Sequence, residues 1–385
     1  MMNDIFTPTL SQRLDGVGEY YFSRKLREIE ELRKSGKQII SLGIGSPDRP
    51  PHPSVMERLA CESAKANTHG YQSYKGAPEL REAFAHWYDR MFGVQLDPQS
   101  EIMPLIGSKE GIMHIAMTYL NAGDRVLVPN PGYPTYTSAV TLAGGVATPY
   151  TLTAENGWLP DLESLDTQGV KMMIINYPQM PTGATATLEQ LAAIVAFCRK
   201  NSILLLNDNP YCFIRNAEPV SLLQVEGAKD VAMELNSLSK SHNMAGWRVG
   251  MLAASQSRIT EILRFKSNMD SGMFLPLQLA AATALSLGRQ WYEQQNEEYY
   301  AREKLGCAIF DALGLSYEPH QAGLFLWGRL PKGVDCYQFC DYLLYEKGVF
   351  LTPGGIFGSA GERYMRLSLC APQDVLEKVL NIVKQ

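Results

Sequence analysis

The sequence predicts an α/β fold, with a mostly parallel sheet covered by helices and a smaller α+β domain beside it. Three observations lead there. From about residue 50 to residue 280, short apolar runs alternate with helical patterns, the order produced by a parallel sheet with helical crossovers. Each apolar run is bounded by turn residues, as strands buried on both faces should be. After residue 280 the alternation stops, and one long helical stretch leads into short strands and a final helix.

The elements follow in order. An N-terminal segment, residues 1–48, holds the charged helix "SRKLREIEELRKSG" and is expected to pack on the smaller domain. The large domain, residues 49–280, contains the helices "PELREAFAHWYDRMFG", which opens at Pro78, and "SKEGIMHIAMTYLNAG". A third helix, "TLEQLAAIVAFCRKN", starts at Thr187, a suitable N-cap. Its strands are read at Asp124–Pro131, Val170–Pro178, Ser202–Pro210, Asp230–Leu238 and Arg248–Ala254. The smaller domain, residues 281–385, opens with "LGRQWYEQQNEEYYAREKLGCAIFDAL". The strands "LFLWGRLP", "GVFLTPG" and "YMRLSL" and the helix "PQDVLEKVLNIVKQ" complete it.

Composition narrows the function. The chain of 385 residues is 45% hydrophobic and 19% charged, ordinary for a globular protein. Its net charge of −5, with no dense Lys/Arg segment, gives no electrostatic case for nucleic acid. No apolar run approaches the ~20 residues that span a bilayer. The start, "MMNDIFTPTLSQRLDG", lacks the basic and apolar regions of a signal peptide, so a cytoplasmic protein without a membrane partner is expected. Seven scattered cysteines without a Cys-x-x-Cys pair read as reduced thiols, and neither they nor the histidines suggest a metal site.

The polar segments "NPGYP", "NYPQMPTG", "NDNPY" and "NSLSKS" all follow strands, at the end of a parallel sheet where ligands bind. Asp208 ends one strand and Tyr211 lies three residues on; Lys240 ends the next, with Ser237 three residues before it and Arg248 eight after. Upstream, "IGSKEG" leads into a helix start, where free N–H groups and the helix dipole favour a phosphate. An amine, a carboxylate, a phenol and a phosphate cradle are what pyridoxal phosphate requires. Lys240 would form the Schiff base and shuttle the proton. Asp208 would pair with the ring nitrogen and raise its pKa. Tyr211 would bind the phenolic oxygen, and Arg248 and Ser237 the phosphate. The like charge of Arg248 is expected to lower the pKa of Lys240.

Each item alone has a plainer explanation. A lone lysine is usually a solvated charge, Asp208 before Asn-Pro can cap a turn, and Tyr20, Tyr21 and Phe22 suit helix packing at least as well as the lining of a substrate entrance. His242 and Asn243 read as loop structure. It is the fixed order of the set, each member after a strand, that carries the reading.

These motifs resemble the class I/II pyridoxal-phosphate-dependent aminotransferases of fold type I, over nearly the whole chain. "SLSKSHNMAGWRVG" is similar to the family's lysine signature and "NDNPY" to its Asp-x-x-Tyr motif. The resemblance implies a seven-stranded type of sheet and the transfer of an amino group between an L-amino acid and a 2-oxo acid by a ping-pong mechanism. It also implies roles. Ser108 and Lys109 lie in the phosphate loop, Tyr133 in "NPGYPTY" stacks on the cofactor, and Arg366 in "YMRLSL" holds the substrate α-carboxylate. Gly45 in "SLGIGSPD" offers its backbone N–H to the substrate. Tyr71 in "YQSYKGAPELREA" reaches the phosphate of a neighbouring subunit, so a homodimer with shared sites is implied, with Ser271 and Gly272 near its boundary. "GSKEG" and "AGWRVG" also resemble the diaminopimelate-type branch, and no second arginine can be assigned to a distal carboxylate.

One departure stands out. Met180 replaces the asparagine of the usual Asn-Pro-Thr-Gly, and a thioether cannot donate a hydrogen bond. Tyr211 then holds the phenolic oxygen alone, or Asn176 or Gln179 substitutes. Two alternatives share the cofactor: a C–S β-lyase on the same fold, and a non-catalytic pyridoxal-phosphate-binding protein.

Overall fold

A computed structural model describes residues 8–385, so residues 1–7 of the N-terminal segment lie outside the described residues. Helix α1 (Tyr21–Lys34) is followed by the two-residue strand β1 (Ile40–Ser41) and by α2 (Pro53–Ser63) and α3 (Pro78–Phe92). Both α2 and α3 begin on proline, where the missing N–H costs nothing because first-turn donors have no intrahelical partner. Strand β2 (Ile102–Leu105) runs into α4 (Ser108–Tyr119), and β3 (Arg125–Asn130) into α5 (Pro134–Leu142). Strands β4 (Val146–Thr151) and β5 (Val170–Ile175) precede α6 (Leu188–Lys200), whose Thr187 N-cap and Gln190 form a reciprocal capping box.

The chain continues through β6 (Leu204–Asp208), α7 (Ala228–Val231), β7 (Ala232–Ser237), α8 (Leu238–Ser241), β8 (Gly250–Ala253), α9 (Gln256–Lys266) and α10 (Leu275–Leu285). Then come α11 (Arg289–Ala312), β9 (Ser316–Tyr317), β10 (Phe325–Arg329) and α12 (Cys336–Glu346). Strands β11 (Val349–Phe350), β12 (Thr352–Pro353) and β13 (Tyr364–Ser368) and helix α13 (Gln373–Val383) end it.

Seven strands form one sheet in the order β2-β8-β7-β6-β5-β3-β4. All run parallel except β8, which is antiparallel to both of its neighbours. Along β5, Met173 and Ile175 join one apolar cluster while Met172 and Ile174 join another. Both faces of the central sheet are therefore covered, which is why these strands read as unbroken apolar runs.

The edges differ. Strands β2 ("IMPL") and β4 ("VATPYT") each carry a proline, and Tyr150 alone is buried in β4. Proline is tolerated at a sheet edge, where one side of the ladder is free. An apolar-run criterion passes over both strands for that reason. The strand expected from Asp230 starts at Ala232, because Asp230 and Val231 belong to α7.

A second sheet is antiparallel, in the order β12-β13-β10-β9. The run "GVFLTPG" does not form one strand. Its first half, β11, pairs with β1 in parallel, while β12 pairs with β13. Helix α1 lies against α12, where Lys25 Nζ is 3.2 Å from the Asp341 carboxylate and the Tyr345 hydroxyl donates to Glu28. Among the described residues no helix is long and apolar enough to cross a membrane. All seven cysteines are free thiols.

Candidate active site

Five parallel strands, β2, β3, β5, β6 and β7, bring their carboxyl ends to one edge of the large sheet, and the reversed β8 begins there. A cavity of about 470 Å³ opens at this edge. From the large sheet's loops it is lined by Ser108, Lys109, Tyr133, Tyr136, Asn176, Met180, Asp208, Tyr211, Ser237, Ser239, Lys240 and Arg248. Opposite stand Tyr20, Phe22, Ser23, Leu26, Ile44, Gly45, Phe325, Phe357 and Arg366. Eleven of the twelve sequence-identified site residues thus meet in one cavity. Tyr71 is the exception: it is 93% exposed and lines no part of it.

Asp208 ends β6 and is 4% exposed. Its Oδ2 accepts a hydrogen bond from the Tyr136 hydroxyl at 2.9 Å, while Oδ1 is buried and has no partner. Burial pushes its pKa up to about 6, against the downward pull of Tyr136, Ser108 and the Lys240 charge. A buried acceptor without a donor is costly, so Oδ1 marks the place for a protonated group. Tyr136 was not singled out from the sequence, yet it stands one helical turn beyond Tyr133 in "NPGYPTY". That i, i+3 spacing on the face of α5 was the available signal.

Lys240 sits in the single turn α8, directly after β7. Its Nζ donates to the Gly45 carbonyl at 2.5 Å. Its pKa is lowered as expected, but the cause needs correcting. Burial acts first, and among the like charges Arg366 precedes Arg248. Gly45 thus meets the lysine through its carbonyl. A Cβ there would fall 2.1 Å from the Phe325 ring, so only glycine fits.

The other end of the cavity is built of donors. Gly107, at φ +81°, precedes α4, and no side chain caps the helix's free N–H groups. A Cβ on Gly107 would lie 2.2 Å from Arg248 Nη2, so the glycine makes room for that guanidinium. Arg248 itself holds a left-handed backbone at φ 58°, strain of roughly 1–3 kcal/mol that non-glycine residues keep mainly at functional sites. Its Nη1 donates to Ser239 Oγ at 3.3 Å and to the Ala245 carbonyl at 2.9 Å. Ser237 caps α8 by accepting the Ser239 N–H at 3.1 Å. Lys109 places its ammonium 5.0 Å from the centre of the Tyr20 ring.

Arg366, on β13, is 3% exposed, and among the described residues it has no carboxylate partner. Nη2 donates to the Gly43 carbonyl at 2.7 Å, Nη1 lies 3.3 Å from Met180 Sδ, and Nε has no partner. Three rings surround the guanidinium, those of Phe325 at 3.8 Å, Phe357 at 4.6 Å and Phe22 at 5.4 Å. Burial lowers its pKa to about 10, so it is still a full cation at neutral pH.

The structure also sorts the candidates around Met180. Gln179 does not line the cavity. Its amide donates to the Pro131 carbonyl and accepts from Thr182, which ties it into the turn. Asn176 does line it, but its oxygen accepts the Met180 N–H at 2.8 Å and its NH2 donates to the Asp208 carbonyl. One amide proton of Asn176 is left over. Tyr211 lines the cavity beside Phe325, with its phenol pKa raised by burial. His242 is buried against Trp291 and Tyr292, outside the cavity.

The donor set fits pyridoxal phosphate. An unpaired buried carboxylate oxygen suits the ring nitrogen, uncapped N–H groups with Ser237, Ser239 and Arg248 suit the phosphate, and a deprotonation-prone amine stands between them. Comparison with known proteins agrees. Residues 37–383 match the family described as aminotransferase class I and II. The chain is 39% identical to an LL-diaminopimelate aminotransferase of Dehalococcoides mccartyi (strain CBDB1) over 96% of each chain. It is 40% identical to one of Desulforudis audaxviator (strain MP104C) over 94% of each. Among solved structures, apo-BacF of Bacillus subtilis superposes with a TM-score of 0.94 at 35% identity, covering 98% of both chains. The aspartate aminotransferase of Thermus thermophilus with maleate gives 0.91 at 27% identity, covering 98% and 99%.

Proposed function

Since this chain belongs to the class I and II aminotransferases and uses pyridoxal 5′-phosphate, we propose that Lys240, Asp208 and Tyr211 are its catalytic residues. When bound, the cofactor supplies an aldehyde that takes up an amino group and a ring that accepts the electron pair left on the substrate's α-carbon. Lys240 Nζ, pushed by burial toward its neutral form, takes the proton from that α-carbon and returns it at the next position. Asp208 Oδ1 accepts the hydrogen bond of the ring nitrogen and keeps that nitrogen protonated. Tyr211 donates to the phenolic oxygen, aided by the spare amide proton of Asn176.

Ser108, Lys109, Ser237 and Arg248, with the N–H groups of α4, hold the phosphate. Tyr133 covers the ring. Arg366 binds the α-carboxylate shared by the L-amino acid and the 2-oxo acid, and the Gly45 backbone assists it. Because both substrates use this one cradle, the first product leaves before the second substrate enters.

The observation that carries this reading is a half-paired buried carboxylate and a lowered-pKa amine facing the same cavity. Borohydride treatment of cofactor-loaded protein followed by peptide mass mapping is expected to find a pyridoxyl group on Lys240. An unmodified Lys240 in saturated material would overturn the assignment. Amino acid alone should bleach the cofactor band and a 2-oxo acid should restore it; release of pyruvate and ammonia without an acceptor would instead identify an eliminating enzyme.

The wider organisation belongs to the same proposal. Residues 49–280 form the cofactor-binding domain and 281–385 the smaller one, with 1–48 attached to the latter through α1 and β1. The exposure of Tyr71 supports a homodimer in which this residue serves the partner's phosphate site. The net charge of −5 and seven free thiols support a cytoplasmic protein acting on small molecules, with neither nucleic acid nor membrane as partner.

A further inference from the structure

We infer that the amino donor carries an uncharged, apolar side chain, and that the wall selecting it is the N-terminal end of α1, from Tyr20 to Leu26. The inference rests on the functional reading above and deepens it. Among the described residues five charged side chains line the cavity: Lys109, Asp208, Lys240, Arg248 and Arg366. Asp208, Lys240 and Arg248 face the cofactor, and Arg366 faces the α-carboxylate. Lys109, the fifth, belongs with the phosphate loop and already has its ammonium over the Tyr20 ring. Among the described residues no second carboxylate lines the cavity.

What remains is apolar. A substrate anchored on Arg366 with its α-carbon toward Lys240 sets its side chain beside Phe325, Phe357 and Phe22, whose rings enclose that guanidinium. Beyond them Tyr20, Leu26 and Ile44 continue the surface, and the Tyr20 and Phe22 rings stand 5.6 Å apart. The wall is fixed rather than draped, since Lys25 and Glu28 tie α1 to Asp341 and Tyr345. Diaminopimelate, named for the relatives above, ends in a second ammonium and carboxylate. Its ammonium would find no acid here, and a buried unpaired charge is disfavoured far more than a missing methylene. An aromatic side chain would bury its face against the same rings, for a gain of about 10- to 100-fold over alanine.

The test uses cofactor-loaded enzyme and has two arms. In the first, calorimetry compares two analogues that have no amine and cannot react, 3-phenylpropionate and glutarate. The expected result is at least ~10-fold tighter binding of 3-phenylpropionate; equal or reversed affinities would overturn the inference. In the second, loss of the cofactor band is followed with L-phenylalanine, L-alanine, L-aspartate and LL-diaminopimelate. Phenylalanine should give the highest kcat/KM, and preference for either charged donor would sink the specificity while leaving the aminotransferase reading intact. A band unmoved by every amino acid would strike the aminotransferase reading itself, and the calorimetric arm would still decide the selectivity.

Phe22→Ala should cut kcat/KM for phenylalanine by about 10-fold or more and change alanine by no more than ~3-fold. Equal losses for both donors would show a structural role only. Should that variant not fold, Leu26→Glu on the half-exposed side of the wall gives the same contrast, and an unchanged phenylalanine preference there would count against α1 as the selecting wall.

Discussion

Two buried carboxylates stand on adjacent central strands and are treated in opposite ways. Glu234, in the middle of β7, is fully buried and has no cation beside it. Its Oε1 accepts from the Tyr88 hydroxyl at 3.0 Å and the Ser221 hydroxyl at 2.6 Å. Its Oε2 accepts from Asn207 Nδ2 at 2.9 Å and the Leu222 N–H at 2.8 Å. Asp208, at the end of β6, has one donor and a bare oxygen. Burial raises both pKa values, and in Glu234 four hydrogen bonds pull against it. A carboxylate whose acceptor sites are filled from its own chain holds the fold together. One left half-empty at a strand end is kept for something that arrives later.

The sharpest way to break the comparison is to remove each acid in turn. Asp208→Ala should lower turnover by ~10³-fold or more while the melting temperature of the cofactor-free protein holds or rises. A variant that keeps activity would show that the bare oxygen has no catalytic partner. Glu234→Leu should do the reverse. Four donors lose their acceptor, which destabilises the protein by about 3 kcal/mol or more, while kcat of the remaining folded enzyme stays within ~3-fold. Urea titration and single-turnover rates on the same sample separate the two effects.

A pH series sharpens it further. The Asp208 pKa of about 6 lies above its unfolded value of 3.8, so the folded state holds this proton more tightly. Its stabilising contribution is complete below about pH 4 and is lost as pH rises through 6. Relative to Asp208→Asn, the cofactor-free wild type should therefore lose about 2–3 kcal/mol between pH 4 and pH 7.5. Denaturant midpoints that track each other across the range would remove burial as the cause. The smallest effect belongs to Tyr136→Phe, which strips Asp208 of its one donor. Cofactor affinity should fall about 10-fold, read by fluorescence titration, with little change in melting temperature.

Much of this was legible in the chain. Lys240, Asp208 and Arg248 sit immediately beside strands, and their spacing is set locally, so order along the sequence stands in for proximity. The central strands were legible because two covered faces leave no polar positions. Contacts that join distant stretches were not. Tyr136 is 72 residues from the carboxylate it serves, and Met180 is 186 from the guanidinium it touches. Glu234 left a trace, a lone acid inside the apolar run "DVAMELNSL", but nothing local says which four donors will meet it. The edge strands β2 and β4 were passed over because a proline interrupts each, and in β4 exposure also removes the pattern a central strand displays.

In the seven-stranded sheet, strand β8 alone runs against the other six. The polypeptide therefore departs from the cavity rim at Lys240 and is back at it by Arg248, and the Leu238 N–H donates to the Val249 carbonyl at 3.1 Å to close the base of the excursion. Amine and guanidinium are the two prongs of one short fork. Insertions elsewhere around the rim shift a single prong's neighbours, but lengthening the stem between residues 241 and 247 would splay the fork itself. That makes this connection the least negotiable length in the molecule.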